Sequence, residues 1–204
     1  MNEATRLVAR GYDEIADAYL EKFGGSTVRA RMLDALCTRL PPRARVLDLG
    51  CGAGVPVARQ LIAHGFEVTG IDASSGQIGR ARRNAPEARF IQANMTEVEY
   101  PPGIFDAVSA FYSITHVPRH MHGALLGRIA GWLRPGGWFL GSFGAAALAD
   151  WWGEWLGMTM FFSHHDADTT RRLVRDVGLH IEQAEVVRQD NEATEFLWIT
   201  ARRP

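Results

Sequence analysis

Two hydrophobic periods alternate along the chain. From Ala4 to Tyr19 and from Thr27 to Arg39, apolar residues recur at helical spacing (Leu7, Ile15 and Tyr19, then Val28, Leu33 and Leu36). The second stretch ends at Pro41-Pro42, where a helix cannot continue. Beyond the prolines, short apolar runs read as strands: Arg45–Leu49, Phe66–Ile71, Arg89–Gln92, Phe105–Phe111 and Trp138–Phe143. Between them, Val55–His64, Gly76–Asn84 and Arg119–Leu133 carry helical spacing. The chain then reads as a helix over Ala167–Val177 and strands over His180–Val187 and Thr194–Arg202, the two strands joined by a hairpin turn around Gln189-Asp190-Asn191-Glu192. Ser163 and Asp166, spaced by three ahead of that helix, suggest a capping box. Such alternation implies a parallel sheet with helices on both faces, and the hairpin puts the last strand antiparallel at or near the sheet edge.

Composition narrows the function classes. A chain of 204 residues, 47% hydrophobic and 22% charged, matches one globular α/β domain and excludes disorder. Its net charge of -1 supplies no global cationic field, so long nucleic acids are poor candidate substrates, and the cluster Arg80, Arg82 and Arg83 reads as a solvated helix face. No apolar run approaches the ~18 residues of a membrane helix, and Met1–Arg10 lacks the apolar stretch of a signal peptide. The expectation is a cytoplasmic protein without membrane contact. Cys37 and Cys51 alone build neither a disulfide framework nor a zinc cluster, so no metal is expected.

Candidate chemistry concentrates where the first strand runs into Asp48-Leu49-Gly50-Cys51-Gly52-Ala53-Gly54. In an open parallel sheet, ligands bind beyond the carboxyl ends of the strands, and glycines there let backbone approach ligand. A dinucleotide loop wants G-x-G-x-x-G, whereas this one is G-x-G-x-G with Asp48 in the preceding strand. A carboxylate there discourages a pyrophosphate and suits a cationic ligand. Asp72, at the tip of the second strand and about 20 residues on, is placed to accept both hydroxyls of a ribose. Each acid also has a purely structural role open to it: Asp48 satisfying its own turn, Asp72 capping the next helix. Cys51 reads as a small loop residue, with no histidine beside it in sequence to activate a thiol.

Together with Leu133-Arg134-Pro135-Gly136-Gly137, these residues resemble the class I S-adenosylmethionine-dependent methyltransferase family, over about Tyr12 to Phe143. The resemblance implies a Rossmann-like seven-stranded sheet of order 3-2-1-4-5-7-6, the last strand antiparallel, in a single domain. Residues 1–42 would form a helical lid, 43–143 the cofactor core, 144–166 a variable substrate cap and 167–204 the closing helix and hairpin. It implies S-adenosylmethionine as cofactor and S-adenosylhomocysteine as product. Gly50, Cys51, Gly52 and Asp48 would then line the methionine part, and Asp72 with Ala73 the ribose. Asn94, Met95 and Phe111 would line the rest of the pocket. Asn94 stands where the family often has an acid near the adenine. The leader Tyr12-Asp13-Glu14-Ile15-Ala16-Asp17-Ala18-Tyr19 resembles the family's lid, with Tyr12 and Tyr19 reaching over the cofactor.

The acceptor is read mainly from what is missing. The fourth strand ends in Phe111-Tyr112-Ser113-Ile114-Thr115-His116, without the Asn/Asp-Pro-Pro-Tyr/Phe tetrad of amino-methyltransferases acting on nucleic acids. The paired glutamates of arginine methyltransferases and the acidic triad of catechol enzymes are absent as well. A small-molecule acceptor remains. His116 is the best-placed base, or else a loop histidine shaping the pocket; His120 and His122 read as surface residues. The segment Trp151–Asp166 supplies Trp151, Trp152, Trp155, Met158 and Phe161 as apolar walls, joined by Tyr112, with His164 and His165 as alternative bases. Three rival classes stay open: an NAD(P)-dependent oxidoreductase, a methyltransferase-like scaffold without turnover, and protein or tRNA methylation, against which the neutral net charge and the aromatic cap argue and for which only the basic patch Arg80, Arg82 and Arg83 speaks. Oligomeric state is left undetermined.

Overall fold

A computed structural model describes residues 2–190 and 194–204. Its elements are α1 (Glu3–Phe23), α2 (Thr27–Cys37), β1 (Arg45–Leu49), α3 (Val57–Ala63), β2 (Glu67–Asp72), α4 (Ser75–Asn84), β3 (Arg89–Gln92) and β4 (Phe105–Ala110). These are followed by α5 (His122–Trp132), β5 (Leu133–Gly144), β6 (Leu148–Trp155), β7 (Met158–His164), α6 (Ala167–Asp176), β8 (His180–Arg188) and β9 (Glu195–Arg202). Seven strands form one sheet in the order β3-β2-β1-β4-β5-β9-β8. Strands β1 to β5 pair in parallel, and β9 runs antiparallel to both β5 and β8. That is the expected order once the inserted β6–β7 hairpin is counted.

The period-two pattern of the strands explains the layers. In β1, Val46 faces a core built with Leu33, Leu36, Ala58 and Leu61, while Leu47 and Leu49 face the core that holds Leu125, Leu126 and Ile129. Helices α2, α3 and α4 thus cover one face, and α5 and α6 the other. Burying each such side chain stabilises by about 1.5–3 kcal/mol. Asp48 shares the face of Val46, and its position at the carboxyl end of β1 takes it beyond the packed layer.

Several boundaries differ from the sequence reading, each for a local reason. Helix α1 continues past Tyr19 to Phe23 because no breaker intervenes; the Asn2 side chain caps its start, accepting from Thr5 N at 2.8 Å. The helix expected from Arg119 starts at His122 and follows two short 3₁₀ turns, Ile114–His116 and Arg119–Met121. Pro118 keeps the preceding Val117 extended, with φ -91° and ψ 134°. Leu133–Gly137, which precedes the expected strand Trp138–Phe143, is the irregular first part of β5. Ser163 does not form a capping box. Asp166 caps α6, accepting from Thr169 N at 2.8 Å, while Ser163 Oγ accepts from Arg119 N and donates to Asp150. His122 is also not a surface residue: it is 1% exposed, with Nε2 2.9 Å from the Val117 carbonyl and its ring against His165. His120 is exposed. Asn191 and Glu192 of the expected hairpin turn lie outside the described residues.

The hairpin β6–β7 was not foreseen at all. Its turn, Leu156-Gly157, has φ of 50° and 78°, the left-handed pair that matches strand twist in a two-residue loop. Trp155 pairs with Met158 and Trp152 with Phe161.

Candidate active site

The carboxyl ends of β1, β2 and β4 open on one cavity, roofed by α1. Gly50 N and Cys51 N donate to the Ile71 carbonyl at 2.8 and 2.9 Å, turning the chain sharply at the strand tip. Gly50 has φ +72°, and a Cβ there would lie 2.3 Å from Ser113 Cβ, so only glycine fits. Asp72 fixes the loop from the neighbouring strand: Oδ2 accepts from Gly52 N and Oδ1 from Ser74 N, each at 2.9 Å. Each oxygen keeps acceptor capacity for a ligand hydroxyl. Burial raises the Asp72 pKa against the pull of these two backbone bonds.

Asp48 is 2% exposed and accepts one hydrogen bond, from Ser109 Oγ at 2.7 Å. Burial, only partly offset by Ser109, pushes its pKa from the ordinary 3.8 up to about 7. Cys51 is buried, and burial together with the charges of Asp72 and Asp48 lifts its thiol well above the usual range, which disfavours a nucleophilic thiolate. Tyr12, Tyr19, Ala73, Met95 and Phe111 also line this cavity, as does Asn94. The Asn94 amide is engaged in its own turn, however, accepting from Thr96 N and Oγ1 and donating to Glu97, each at 3.0 Å.

The roof is fastened by specific bonds. Asp13 Oδ1 accepts from Ser74 Oγ and, at 3.0 Å, from Gly76 N in the first turn of α4. Gln77 Nε2 donates to the Tyr12 carbonyl at 2.9 Å, and Arg80 pairs with Asp17. Arg82 donates to the Phe90 carbonyl. Two members of the suspected basic patch are therefore committed to intramolecular bonds.

A second, smaller chamber adjoins the first and shares four residues with it: Tyr12, Tyr19, Tyr112 and His116. Phe23, Trp155, Phe162 and Phe196 complete an aromatic wall, with Ser26, Thr115 and Gln189 as its remaining polar members. Phe23 and Trp155 lie nearly parallel, 11° apart with centroids at 5.8 Å. Between the chambers, His116 Nε2 is 2.9 Å from Tyr12 Oη, and Nδ1 is 2.7 Å from the Phe161 carbonyl. A carbonyl only accepts, so Nδ1 carries the ring proton and Nε2 accepts from the tyrosine hydroxyl. Burial lowers the His116 pKa to about 4, which keeps the ring neutral.

Of the expected acceptor walls, Tyr112 and Trp155 line this chamber. Trp151 and Trp152 are 38% and 47% exposed, and Met158, Phe161, His164 and His165 line neither space. His164 Nδ1 lies 2.6 Å from the Ala146 carbonyl and His165 Nε2 3.0 Å from that of Arg119, so the two rings serve different backbone groups. Among the described residues, no three His, Cys, Asp or Glu side chains are grouped to hold a metal ion.

Sequence reasoning missed Arg29. It lines the main cavity, is 5% exposed and donates through Nη2 to the carbonyls of Phe23 and Gly24 at 3.1 and 2.6 Å. The signal was present: Arg29 stands on the same helical stripe as Met32, Leu33 and Leu36, a cation on an apolar face.

Comparison with known proteins decides the family. A family model described as a methyltransferase domain matches residues 21–184. This chain belongs to the class I S-adenosylmethionine-dependent methyltransferases. It is 35% identical over 153 residues to a 27-O-demethylrifamycin SV methyltransferase of Amycolatopsis mediterranei, covering 64% of this chain and 55% of that one. It is 34% identical over 130 residues to a demethylmenaquinone methyltransferase of Beutenbergia cavernae, covering 64% and 52%. The match thus spans about half the length of these curated relatives. Among solved structures, a 1,6-didemethyltoxoflavin-N1-methyltransferase of Burkholderia thailandensis superposes with TM-score 0.75 at 20% identity, covering 95% of this chain and 84% of the other. The cyclase SpnF superposes at 0.76 and 19% identity, covering 98% and 96%. These two structures establish the Rossmann-like methyltransferase fold.

No helix among the described residues is long and apolar enough to cross a membrane.

Proposed function

We propose that this methyltransferase transfers a methyl group from S-adenosylmethionine to an O, N or C nucleophile of a small, apolar or aromatic metabolite. The observation that carries the reading is the adjacency of two spaces across Tyr12 and His116: a cavity at the strand ends that holds Asp48, Asp72 and Arg29, and an aromatic chamber beside it. The curated relatives that act on small molecules support the same class.

The residues of the main cavity fit the cofactor. Asp72 accepts the ribose hydroxyls, and the backbone of Gly50 and Gly52 lies along the methionine part. Asp48 faces the ammonium and Arg29 the carboxylate, so opposite charges of the amino-acid end meet opposite charges of the protein. With the Asn94 amide engaged in its turn, Met95 supplies the apolar contact to the base. When bound, the cofactor supplies a methyl group on a sulfonium already activated for displacement. The protein aligns the acceptor with it and excludes water, which is where most of the rate arises. Tyr12 and His116 form the proton path. A proton released from the acceptor passes to the Tyr12 oxygen as the Tyr12 proton moves to His116 Nε2. A histidine with a pKa near 4 is a weak base, yet it remains far more basic than an alkylated, still protonated oxygen.

Calorimetric titration with S-adenosylmethionine and S-adenosylhomocysteine tests the cofactor, with NAD and NADP as competitors and Asp72→Ala as control. Micromolar binding that Asp72→Ala weakens at least tenfold supports the reading; binding of NAD instead would overturn it. A mass-shift screen of candidate acceptors then tests turnover. One observation favours a second reading, a scaffold that binds the cofactor without methyl transfer. The similarly folded SpnF carries the name of a cyclase, and fold alone does not fix chemistry. Methylated product in the screen excludes that reading.

A further inference from the structure

The aromatic chamber contains one polar group whose bonding is unfinished. Gln189 lines the chamber and is 9% exposed, and its Oε1 accepts from Tyr112 Oη at 2.6 Å. Its Nε2 is buried without a hydrogen-bond partner among the described residues. Leaving a buried amide donor unpaired costs about 1–3 kcal/mol, so the arrangement is unfavourable unless something completes it.

The position of Gln189 is closely determined. Its N donates to the Thr194 carbonyl at 3.0 Å, closing the end of the β8–β9 hairpin. The next residue, Asp190, accepts from both N and Oγ1 of Thr27 at 2.6 Å, tying the hairpin to the start of α2. Tyr112, which orients the amide, has φ +55°, a left-handed conformation that bulky residues rarely adopt. Ser142 Oγ accepts its backbone N–H at 2.7 Å, and Phe196 and Trp198 meet its ring edge to face at 5.0 and 5.6 Å. The fold therefore maintains a strained tyrosine whose hydroxyl engages one end of the glutamine amide and leaves the other end free.

We propose that Gln189, oriented by Tyr112, is the specificity-determining residue of the chamber and donates a hydrogen bond to an oxygen atom on a flat, conjugated acceptor molecule. The aromatic walls accept a flat ring by area and by edge or face contact, without directional preference for any one ring system. The amide donor supplies the direction, since an analogue without the oxygen leaves it unpaired again. The acceptor class is thus a conjugated carbonyl or aromatic oxygen compound rather than a plain hydrocarbon or an aliphatic amine. This inference rests on the methyltransferase reading for its meaning, but its test does not require turnover.

The test compares binding of acetylnaphthalene and ethylnaphthalene, matched in size and differing in the carbonyl oxygen, by quenching of tryptophan fluorescence. The wild type is expected to bind the ketone about tenfold more tightly, the effect of pairing one buried amide donor. Gln189→Glu keeps the acceptor for Tyr112 but removes the donor, and Gln189→Leu removes both. In each variant the preference should shrink to within about twofold while ethylnaphthalene affinity is unchanged. Tyr112→Phe should show an intermediate loss, because the amide is then free to rotate. An undiminished preference in Gln189→Glu, or failure of the wild type to bind either probe, would overturn the proposal. Titration of the same variants with S-adenosylmethionine separates the two readings. Gln189 does not line the cofactor cavity, so cofactor binding should persist in both Gln189 variants, and its absence from the wild type would count against the methyltransferase reading alone.

Discussion

Tyr12 donates its hydroxyl hydrogen bond to Nε2 of His116 at 2.9 Å, joining the roof helix α1 to the tip of β4. Both ring nitrogens of His116 are thereby occupied, the other by the Phe161 carbonyl. If the pair carries a proton away from the acceptor, His116→Gln should separate geometry from chemistry. A glutamine oxygen can still accept from Tyr12 but cannot take up the proton. We expect methyl transfer by His116→Gln and Tyr12→Phe to fall about 100-fold or more, the usual contribution of acid–base assistance, with cofactor affinity within about threefold of wild type. Steady-state kinetics beside calorimetry makes the comparison. Because burial depresses the histidine pKa to about 4, the acid limb due to His116 should lie near pH 4 and leave the rate at saturating S-adenosylmethionine flat through pH 6 to 8. An acid limb near pH 6.5 that His116→Gln removes would contradict this.

Asp48 gives a pH dependence of opposite sign. Its folded-state pKa, about 7, lies above the ordinary 3.8, so the folded protein holds a proton that the unfolded chain releases between those values. Stability therefore declines as pH rises from about 4 to 7 and levels off above 7, by at most about 4 kcal/mol from this group. Asp48→Asn removes the dependence and should raise the melting temperature at pH 8 while leaving it unchanged at pH 4. A cationic ligand beside Asp48 favours the charged form, so binding releases a proton. Affinity for S-adenosylmethionine should then increase up to tenfold per pH unit below pH 7 and flatten above it, and Asp48→Asn should abolish the slope. Calorimetry in two buffers of different ionisation enthalpy measures the released proton directly.

The strands of the core and the loop at β1 were legible because both depend on local signals, alternating apolar runs and glycines next to acids, whereas the order of the strands in the sheet came only with the family resemblance. The acceptor side was less so. Trp152 and Phe161 are as aromatic as Trp155 and Phe162, and only the register of the β6–β7 hairpin decides which of them face the chamber. No composition rule reads that register without the turn at Leu156-Gly157. Phe196 and Gln189 reach the chamber because β9 inserts between β5 and β8, a long-range consequence of topology. Burial misled in the other direction for His122, since polarity alone suggested an exposed start to α5, whereas the Val117 carbonyl gives the ring a partner inside.

Asp13 is one of several latches on the roof, and the one that reaches the start of α4. Asp13 holds α1 to the start of α4 through Ser74 and Gly76 N, serving as a second acceptor for that helix's unpaired N–H groups. Asp13→Ala should cost about 1 kcal/mol, the usual value of such a cap. Its larger effect should be kinetic: faster dissociation of S-adenosylmethionine with little change in association, read by stopped-flow fluorescence. Hydrogen exchange should speed up in the first turns of α4 and leave β1 unaffected.

Gly50 and Gly52 offer a separation of folding from binding. Both have positive φ, +72° and +52°, so alanine at either costs about 1–2 kcal/mol in backbone strain. They differ in what the added methyl meets. At Gly50 it would sit 2.3 Å from Ser113 Cβ, an atom fixed to backbone that cannot rotate away, and Ser113 is itself tied to the Leu49 carbonyl at 2.7 Å. At Gly52 it meets only a Gln77 oxygen at 3.9 Å and otherwise enters the open cavity. Gly50→Ala should therefore lower stability by more than the strain alone, beyond about 2 kcal/mol in urea denaturation. Gly52→Ala should lose only the strain energy but bind S-adenosylmethionine at least tenfold more weakly, because the methyl occupies space the cofactor needs. Equal losses of stability in the two variants would show that the Ser113 contact yields, and unchanged affinity in Gly52→Ala would place the cofactor away from this loop.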